Sequence, residues 1–317
     1  MAMVGASDIQ PPGPVNRPRE LQDPLNFYFY HPLARRLALL LRPTGISPNM
    51  VSVMSAVSLC AAAACFVGMA WPANALVGLG FMLLWHVVDG ADGDLARMTG
   101  KASPTGELVD GVCDYFGNTV MYFAFAFLAD DVWGGWAWAL AVAAGASHVV
   151  QTNHAETQRR LYLWRAYGVP WLRSAKADQE KIFERETWFT RYFGFWAVGY
   201  LWLSDRMTPA ANPVDRALKR AAGDPAETAR IRNLVREAYA PTTFVPMLLG
   251  ANPKTFLMAG AILLGSPIWY FLAMIGPVNL ILIASIIHHK RLGARLAAEL
   301  QRPLSPVGRG EGVRQPE

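Results

Sequence analysis

Residues 73–129 hold two apolar runs, each long enough to cross a bilayer as a helix, and yet these runs carry Asp89, Asp92, Asp110 and Asp114. A spanning helix needs about 20 apolar residues. An unpaired carboxylate inside such a helix costs several kcal/mol or more, so it must neutralise, pair or bind a cation. Any fold open to this chain has to bring these side chains to a common partner. That demand restricts how every neighbouring helix can pack.

The rest of the composition agrees with an all-α, polytopic membrane protein. Of 317 residues, 53% are hydrophobic and only 17% are charged, against about 25% charged in ordinary soluble domains. The charges crowd into the N-terminal arm, a stretch at 159–237 and the C-terminal tail. The net charge of +5 reads as membrane topology, since Lys and Arg collect on the cytoplasmic side. No basic, aromatic-rich motif points to a nucleic acid partner. Cys60, Cys65 and Cys113 form no disulfide framework; Cys60 and Cys65 read as small buried side chains, and Cys113, beside Asp114, as lining the site without acting in it.

Hydropathy and punctuation divide the chain. Residues 1–24 are Pro-rich and polar and read as a disordered arm. At 26–41 aromatic residues and leucines recur at helical spacing beside Arg35, Arg36 and Arg42, the pattern of an amphipathic helix at the membrane interface. Four spans follow at 49–69, 73–96, 106–129 and 133–150, the fourth continuing as helix to 158. The domain of residues 25–165 thus holds the amphipathic helix and spans one to four. Residues 166–240 form a cytoplasmic insertion, within which 188–203 reads as an interfacial or hairpin-like element. Spans five and six lie within 241–296, with a turn at 265–267, and 297–317 is a polar tail. Arg35, Arg36, Arg97, Lys101, Arg159, Arg160, Lys290 and Arg291 fall on one side of this six-span layout, while Asp130 and Asp131 fall on the other. The positive-inside rule then puts both termini and the four aspartates at the cytoplasmic face, which in a bacterium is the face of the inner (plasma) membrane.

The spacing of the acidic residues is itself informative. Asp89 and Asp92 are three apart and Asp110 and Asp114 four apart, so each pair shares one face of its helix. The connection at 99–105, with Gly100, Lys101 and Pro104, is short enough to make the two helices antiparallel neighbours with both pairs at one depth. Converging carboxylates repel and call for a hard divalent cation, Mg²⁺ or Mn²⁺. Two such ions, with phosphate chemistry as the usual purpose, fit the count of ligands. Gly90, Gly93, Ala96 and Gly106 clear space for a pyrophosphate, and Arg97 lies one turn beyond Gly93, placed for phosphate recognition.

Asp89, Asp92, Gly93, Ala96, Arg97, Gly106, Asp110 and Asp114 match the pattern D-x2-D-G-x2-A-R-x8-G-x3-D-x3-D at every fixed position. In this the chain resembles the CDP-alcohol phosphotransferase (CDP-alcohol phosphatidyltransferase) family of integral membrane enzymes. The resemblance implies transfer of a substituted phosphate from a CDP-linked donor to an acceptor hydroxyl, with release of CMP, in phospholipid biosynthesis. It implies CDP-diacylglycerol or a CDP-linked small alcohol as donor, the former preferred. It implies that Asp89, Asp92, Asp110 and Asp114 hold two divalent ions, that Gly93, Ala96, Arg97 and Gly106 line the CDP pocket, and that Asp114 is the general base. A homodimer is implied as well.

Other readings carry less weight. A divalent-cation transporter or channel would also place aspartates in the membrane, but it does not need the Gly, Ala and Arg positions. An EF-hand fails because Ala91 and Gly93 occupy ligand places and no Glu closes the loop. Asp94 reads as a solvated or supporting charge. His86, His148 and His154 read first as helix-packing side chains, His288 and His289 as an interface cluster, and Arg159, Arg160, Lys254 and Lys290 as topology markers that could instead clamp a phosphate.

Overall fold

A computed structural model describes residues 17–169, 187–208 and 213–301. The first part of the N-terminal arm (1–16), two stretches of the insertion (170–186 and 209–212) and most of the C-terminal tail (302–317) lie outside the described residues. Every regular element among the described residues is helical, so the all-α expectation stands.

Helix α1 spans His31–Leu41, α2 Pro48–Gly68, α3 Ala73–Met98, α4 Pro104–Trp133 and α5 Gly135–Tyr162. Ser47 caps α2 by accepting a hydrogen bond from the Met50 amide, with Pro48 in the first turn where its missing N–H costs nothing. Ser103 caps α4 in the same way, accepting from the Gly106 amide ahead of Pro104. The end of α3 is closed by the Lys101 amide reaching the Ala96 carbonyl (2.9 Å) and the Gly100 amide reaching the Arg97 carbonyl (3.4 Å). This is a Schellman closure, and it needs the left-handed backbone that Gly100 supplies at φ 67°. Cap, closure and proline together reverse the chain in five residues and set the start of α4 beside the end of α3.

Four apolar helical runs are long enough to cross a membrane: Pro48–Gly68, Ala73–Met98, Pro104–Trp133 and Ile268–Gln301. The last comprises α10 (Ile268–Ile275) and α11 (Pro277–Gln301), separated at Gly276–Pro277. Before it come α6 (Trp188–Met207), α7 (Pro213–Arg220), α8 (Pro225–Tyr239) and α9 (Ala251–Leu263). Two of the six expected spans do not meet the same criterion. Helix α5 is long enough, but its second half carries Gln151, Asn153, His154, Glu156, Gln158, Arg159 and Arg160. Helix α9 has 13 residues, about 20 Å at 1.5 Å per residue, short of a hydrocarbon core of about 30 Å.

The main core lies among α2, α3, α4, α5 and the α9–α11 region, with Phe66, Met121, Phe125, Tyr270, Phe271 and Met274 buried together. Helix α2 packs closely against both α3 and α4, while α3 and α4 do not pack closely against each other. The two acidic helices are therefore joined by a short turn and wedged apart by α2, a looser neighbourhood than the sequence reading gave them. Helix α1 lies across α3, with Ala34 and Ala38 fully buried. Gly90 is the crossing point: a Cβ there would sit 3.0 Å from the Ala34 Cβ. Gly90 thus serves close helix packing rather than ligand clearance alone.

Two segments are better ordered than the sequence reading expects. Residues 17–24, expected within a disordered arm, carry a short helical turn at Arg19–Leu21 and make specific side-chain contacts described below. Residues 188–203, expected as an interfacial or hairpin-like element, belong to the single continuous helix α6. Gly194 and Gly199 do not break it, because a Thr187–Thr190 capping box starts it and α4 and α5 support one side. Tyr115 of α4 stacks on Trp196 (4.9 Å between centroids), and Asn153 of α5 donates to the Tyr200 carbonyl.

Helices α7 and α8 form a smaller cluster with Tyr162, Ala166 and Leu296. Its polar clasp is Arg165, buried, paired in fork geometry with Asp215 at 2.8 and 2.9 Å. Removing one member of a buried ion pair leaves the other charge unmet, at a cost of about 3–5 kcal/mol. Arg165→Ala should therefore loosen residues 213–239 locally: hydrogen–deuterium exchange there should rise while α2–α4 stay protected. Unchanged protection of 213–239 would show that the pair does not hold this cluster in place.

Candidate active site

The acidic end of the bundle encloses a cavity of 740 Å³. Its wall includes Asp89, Asp92, Gly93, Ala96 and Arg97 from α3, Gly106 and Asp110 from α4, and Asn49 and Ser52 from α2. Helix α5 contributes Thr152, Glu156, Arg159 and Arg160, and the N-terminal strand of chain contributes Arg17, Gln22 and Asp23.

Three of the four expected carboxylates come together. One oxygen each from Asp89, Asp92 and Asp110 lies within 4.8 Å of the others. The helical spacing of Asp89 and Asp92 delivers one side, and the short α3–α4 turn delivers Asp110 across the gap held open by α2. Ser52 Oγ donates to Asp92 Oδ2 at 2.6 Å, which fixes that carboxylate from the wedge helix. Asp89 Oδ1 and Asp110 Oδ1 are buried and have no hydrogen-bond partner among the described residues. Buried anionic oxygens without donors are rare in native structures and point to an ion. Oxygen-only ligands from carboxylates suit Mg²⁺ or Mn²⁺ better than a thiolate- or imidazole-seeking metal. On these observations the cluster fits a hard divalent cation.

Asp114 is not one of the three carboxylates that lie within 4.8 Å of one another. It follows Asp110 by one turn along α4, accepts a hydrogen bond from Trp85 Nε1 at 3.2 Å, and is not among the residues lining the cavity. The structure thus brings three of the motif's carboxylates to one point and holds the fourth against α3 through an indole.

The glycine and arginine positions form the adjoining wall. Arg97 folds back along its own helix, so that a Cβ on Gly93 would lie 3.3 Å from Arg97 Nη1. Asp94 orders that arginine: Arg97 Nη2 donates to Asp94 Oδ1 at 2.5 Å. Asp94 is buried, which decides between its two readings in favour of a supporting charge behind the wall. Gly106 faces Asn49 and the Ser103 cap, with Asn49 Oδ1 3.7 Å from a Cβ built there.

Arg159 and Arg160 also belong to the cavity. Glu156 binds both, through contacts of 2.6–2.7 Å, and Arg160 reaches Glu107 of α4 at 3.1 Å. They are oriented groups facing the same space as the three aspartates, more than topology markers. Lys254 departs from the marker reading in another way, being buried and donating to Thr152 Oγ1 at 2.8 Å. His148 and His154 are packing groups, bonded to Tyr122 (3.0 Å) and Ser285 (2.9 Å), and neither lines the cavity. His86 meets Thr255 of α9 at 2.9 Å, and both His86 and His289 do line it.

Ser52, Trp85, Glu156 and Arg17 are absent from the sequence reading of the site. A signal existed for one of them: Ser52, Ser55 and Ser58 recur at helical spacing in an apolar span and mark a face that meets polar groups. The others depend on tertiary packing.

The ligand set makes a direct prediction. Mn²⁺ titrated into the purified protein and followed by electron paramagnetic resonance should bind. Asp110→Asn should abolish binding, Ser52→Ala should weaken it about tenfold, and Asp94→Asn should leave it near wild type. Equal affinity in wild type and Asp110→Asn would remove the metal assignment.

Comparison with known proteins gives one result. No curated protein sequence matches the chain. The sequence profile of the CDP-alcohol phosphatidyltransferase family matches residues 46–171, from the start of α2 to just beyond α5. That stretch contains all eight motif residues, the three-aspartate cluster and the Arg159–Arg160 wall, and four apolar helices of spanning length accompany it. Over residues 46–171 the chain is therefore similar to the CDP-alcohol phosphatidyltransferase family, which suggests transfer of a phospho-alcohol group from a CDP-alcohol.

Proposed function

We propose that this protein transfers a phosphatidyl group from CDP-diacylglycerol to the hydroxyl of an alcohol acceptor, releasing CMP, as a step in phospholipid biosynthesis. The observation that carries the reading is the convergence of Asp89, Asp92 and Asp110 beside Gly93 and Arg97 in one cavity. An anionic donor requires cationic and hydrogen-bonding partners, and this wall supplies both.

In this reading Asp89, Asp92 and Asp110, with Asp114 joining them, hold two Mg²⁺ or Mn²⁺ ions. The chemistry such ions supply when bound is stabilisation of negative charge on the donor's phosphates as CMP departs. Gly93 and Ala96 let the diphosphate approach the α3 backbone, Arg97 binds it, and Gly106 admits the nucleotide beside α4. Asp114 takes the proton from the acceptor hydroxyl, and Trp85 fixes the carboxylate that does so. The acceptor oxygen bonds to the phosphorus carrying the diacylglycerol as the bond from that phosphorus to the CMP oxygen breaks. Arg159 and Arg160, already oriented by Glu156, face the acceptor side, and their charge suits an acceptor that carries phosphate.

The membrane arrangement belongs to the same proposal. α5 and the α9 region complete six spans, α1 lies at the interface, both termini are cytoplasmic, and the cavity opens on the cytoplasmic side of a bacterial inner membrane. The proposal includes a homodimer. The apolar side chains Val53, Val57, Phe123, Phe127, Trp136 and Trp138 are exposed on the described helices and match a lipid-facing belt.

The test is release of CMP by the purified protein in nanodiscs, with CDP-diacylglycerol and a panel of alcohols including glycerol phosphate, serine, inositol and inositol phosphate. Activity should require Mg²⁺ or Mn²⁺, and Asp114→Asn should lower it on the order of 100-fold or more. No CMP release with any acceptor, alongside metal flux into proteoliposomes, would replace this reading with a transporter. A donor chiral at the transferred phosphorus should give inversion, as single in-line attack requires. Retention would mean two successive displacements and would reject the direct attack.

A further inference from the structure

The N-terminal strand of chain ahead of α1 lies outside the region matched by the family profile, yet it forms part of the cavity wall. It is fixed at several points. Glu20 accepts hydrogen bonds from the hydroxyls of Tyr162 (2.8 Å) and Tyr167 (2.5 Å), and its backbone carbonyl accepts from Thr243 Oγ1 at 2.6 Å. Asp23 accepts from Asn252 of α9 at 2.9 Å. Gln22 bridges its own strand and α1, through the Arg17 carbonyl (2.7 Å) and His31 Nδ1 (2.6 Å). Burial first, and then the positive charge of Arg17, push His31 down to about 3, so this contact is made by a neutral ring. The strand is a strap tied to the end of α5, to the turn after α8, to α9 and to α1.

The strap carries Arg17 to the surface of α3. Arg17 Nη2 donates to Asp94 Oδ1 at 3.2 Å and to the Gly90 carbonyl at 3.5 Å. Asp94 Oδ1 also receives Arg97 Nη2 at 2.5 Å. One carboxylate thus faces two guanidinium groups at the wall where Gly93 and Arg97 lie. Arg17 makes the longer of the two contacts, keeps 28% of its side chain exposed, and is among the residues lining the cavity. Burial pushes its guanidinium down from the ordinary value, with Asp94 opposing. An anionic ligand beside it would relieve that cost.

We infer that Arg17 is a second phosphate-binding arginine of the donor site, presented to the diphosphate by the strap and shared with Arg97 through Asp94. The inference rests on the donor reading above. It adds a residue that the motif does not contain, and it makes donor binding depend on the N-terminal strap. Two guanidiniums beside one carboxylate can grip an anion from two directions, each with a planar fork of donors.

The experiment is a titration of the full-length protein in nanodiscs with CDP and, separately, with cytidine, in the presence of Mg²⁺. Wild type should bind CDP. Arg17→Ala should weaken CDP on the order of tenfold, the effect of one lost charge-assisted hydrogen bond, and leave cytidine unchanged. Arg17→Lys should fall between, because it keeps the charge and loses the fork, and it carries the test if the alanine variant does not fold. In turnover, the donor KM should rise with little change in kcat. Unchanged CDP affinity in Arg17→Ala would overturn the inference, as would equal losses for CDP and cytidine, the mark of a strap that only holds the fold. If wild type binds no CDP, the donor reading fails and this inference with it.

Discussion

Negative charge held in a low-dielectric helical bundle governs this structure. Three carboxylates from α3 and α4 meet, and two of their buried oxygens have no donor among the described residues. A bundle built only for stability would place apolar groups there. Here the surrounding helices are arranged to keep the acidic side chains together: α2 wedges α3 from α4 and lends Ser52, while a Schellman closure and a serine cap fix the turn between them. The gap between the acidic helices is thus part of the design of the site. Close α3–α4 packing would leave no room for a ligand beside Gly93.

Around this acidic point the basic groups form a second layer, and most are held by carboxylates outside the three-aspartate cluster. Asp94 orders Arg97 and Arg17, and Glu156 orders Arg159 and Arg160. Asp94 carries two arginines, and Glu156 carries two of which Arg160 is shared with Glu107, so the guanidiniums are held in place beside the cavity. Pre-oriented charge of this kind binds an anion without first having to reorganise, which is how a site gains from electrostatics in a poorly solvated space. The α7–α8 cluster contributes Tyr239, and with the strap it roofs the cavity from the side away from the apolar helices. The chain outside residues 46–171 therefore shapes the space in which the family chemistry would occur.

The sequence made the centre of this site legible and left its margins obscure. The pairs 89/92 and 110/114 share helix faces because helical spacing is a local property, and the short link at 99–105 is a local signal too. Asp114 shows the limit: its periodicity places it on the face of Asp110, but a tryptophan from another helix decides what it touches. Asp94 stayed open between a solvated and a supporting charge because one of its partners, Arg17, is 77 residues away. Composition marked residues 17–24 as disordered, yet their order comes from tyrosines and an asparagine on three distant elements. Helix α6 was hard to read for a related reason, since its glycines are tolerated only because α4 and α5 pack beside it.

The central claim is that α3 and α4 form one cation site across their gap. A crystal structure of the protein grown with Mn²⁺ and measured at the manganese absorption edge tests it most directly. The account predicts an anomalous peak bounded by Asp89, Asp92 and Asp110, with carboxylate oxygens at about 2.1 Å as for other hard, oxygen-bound ions of this size. Carboxylates paired instead with arginine or lysine side chains, and no anomalous peak between the two helices, would contradict it.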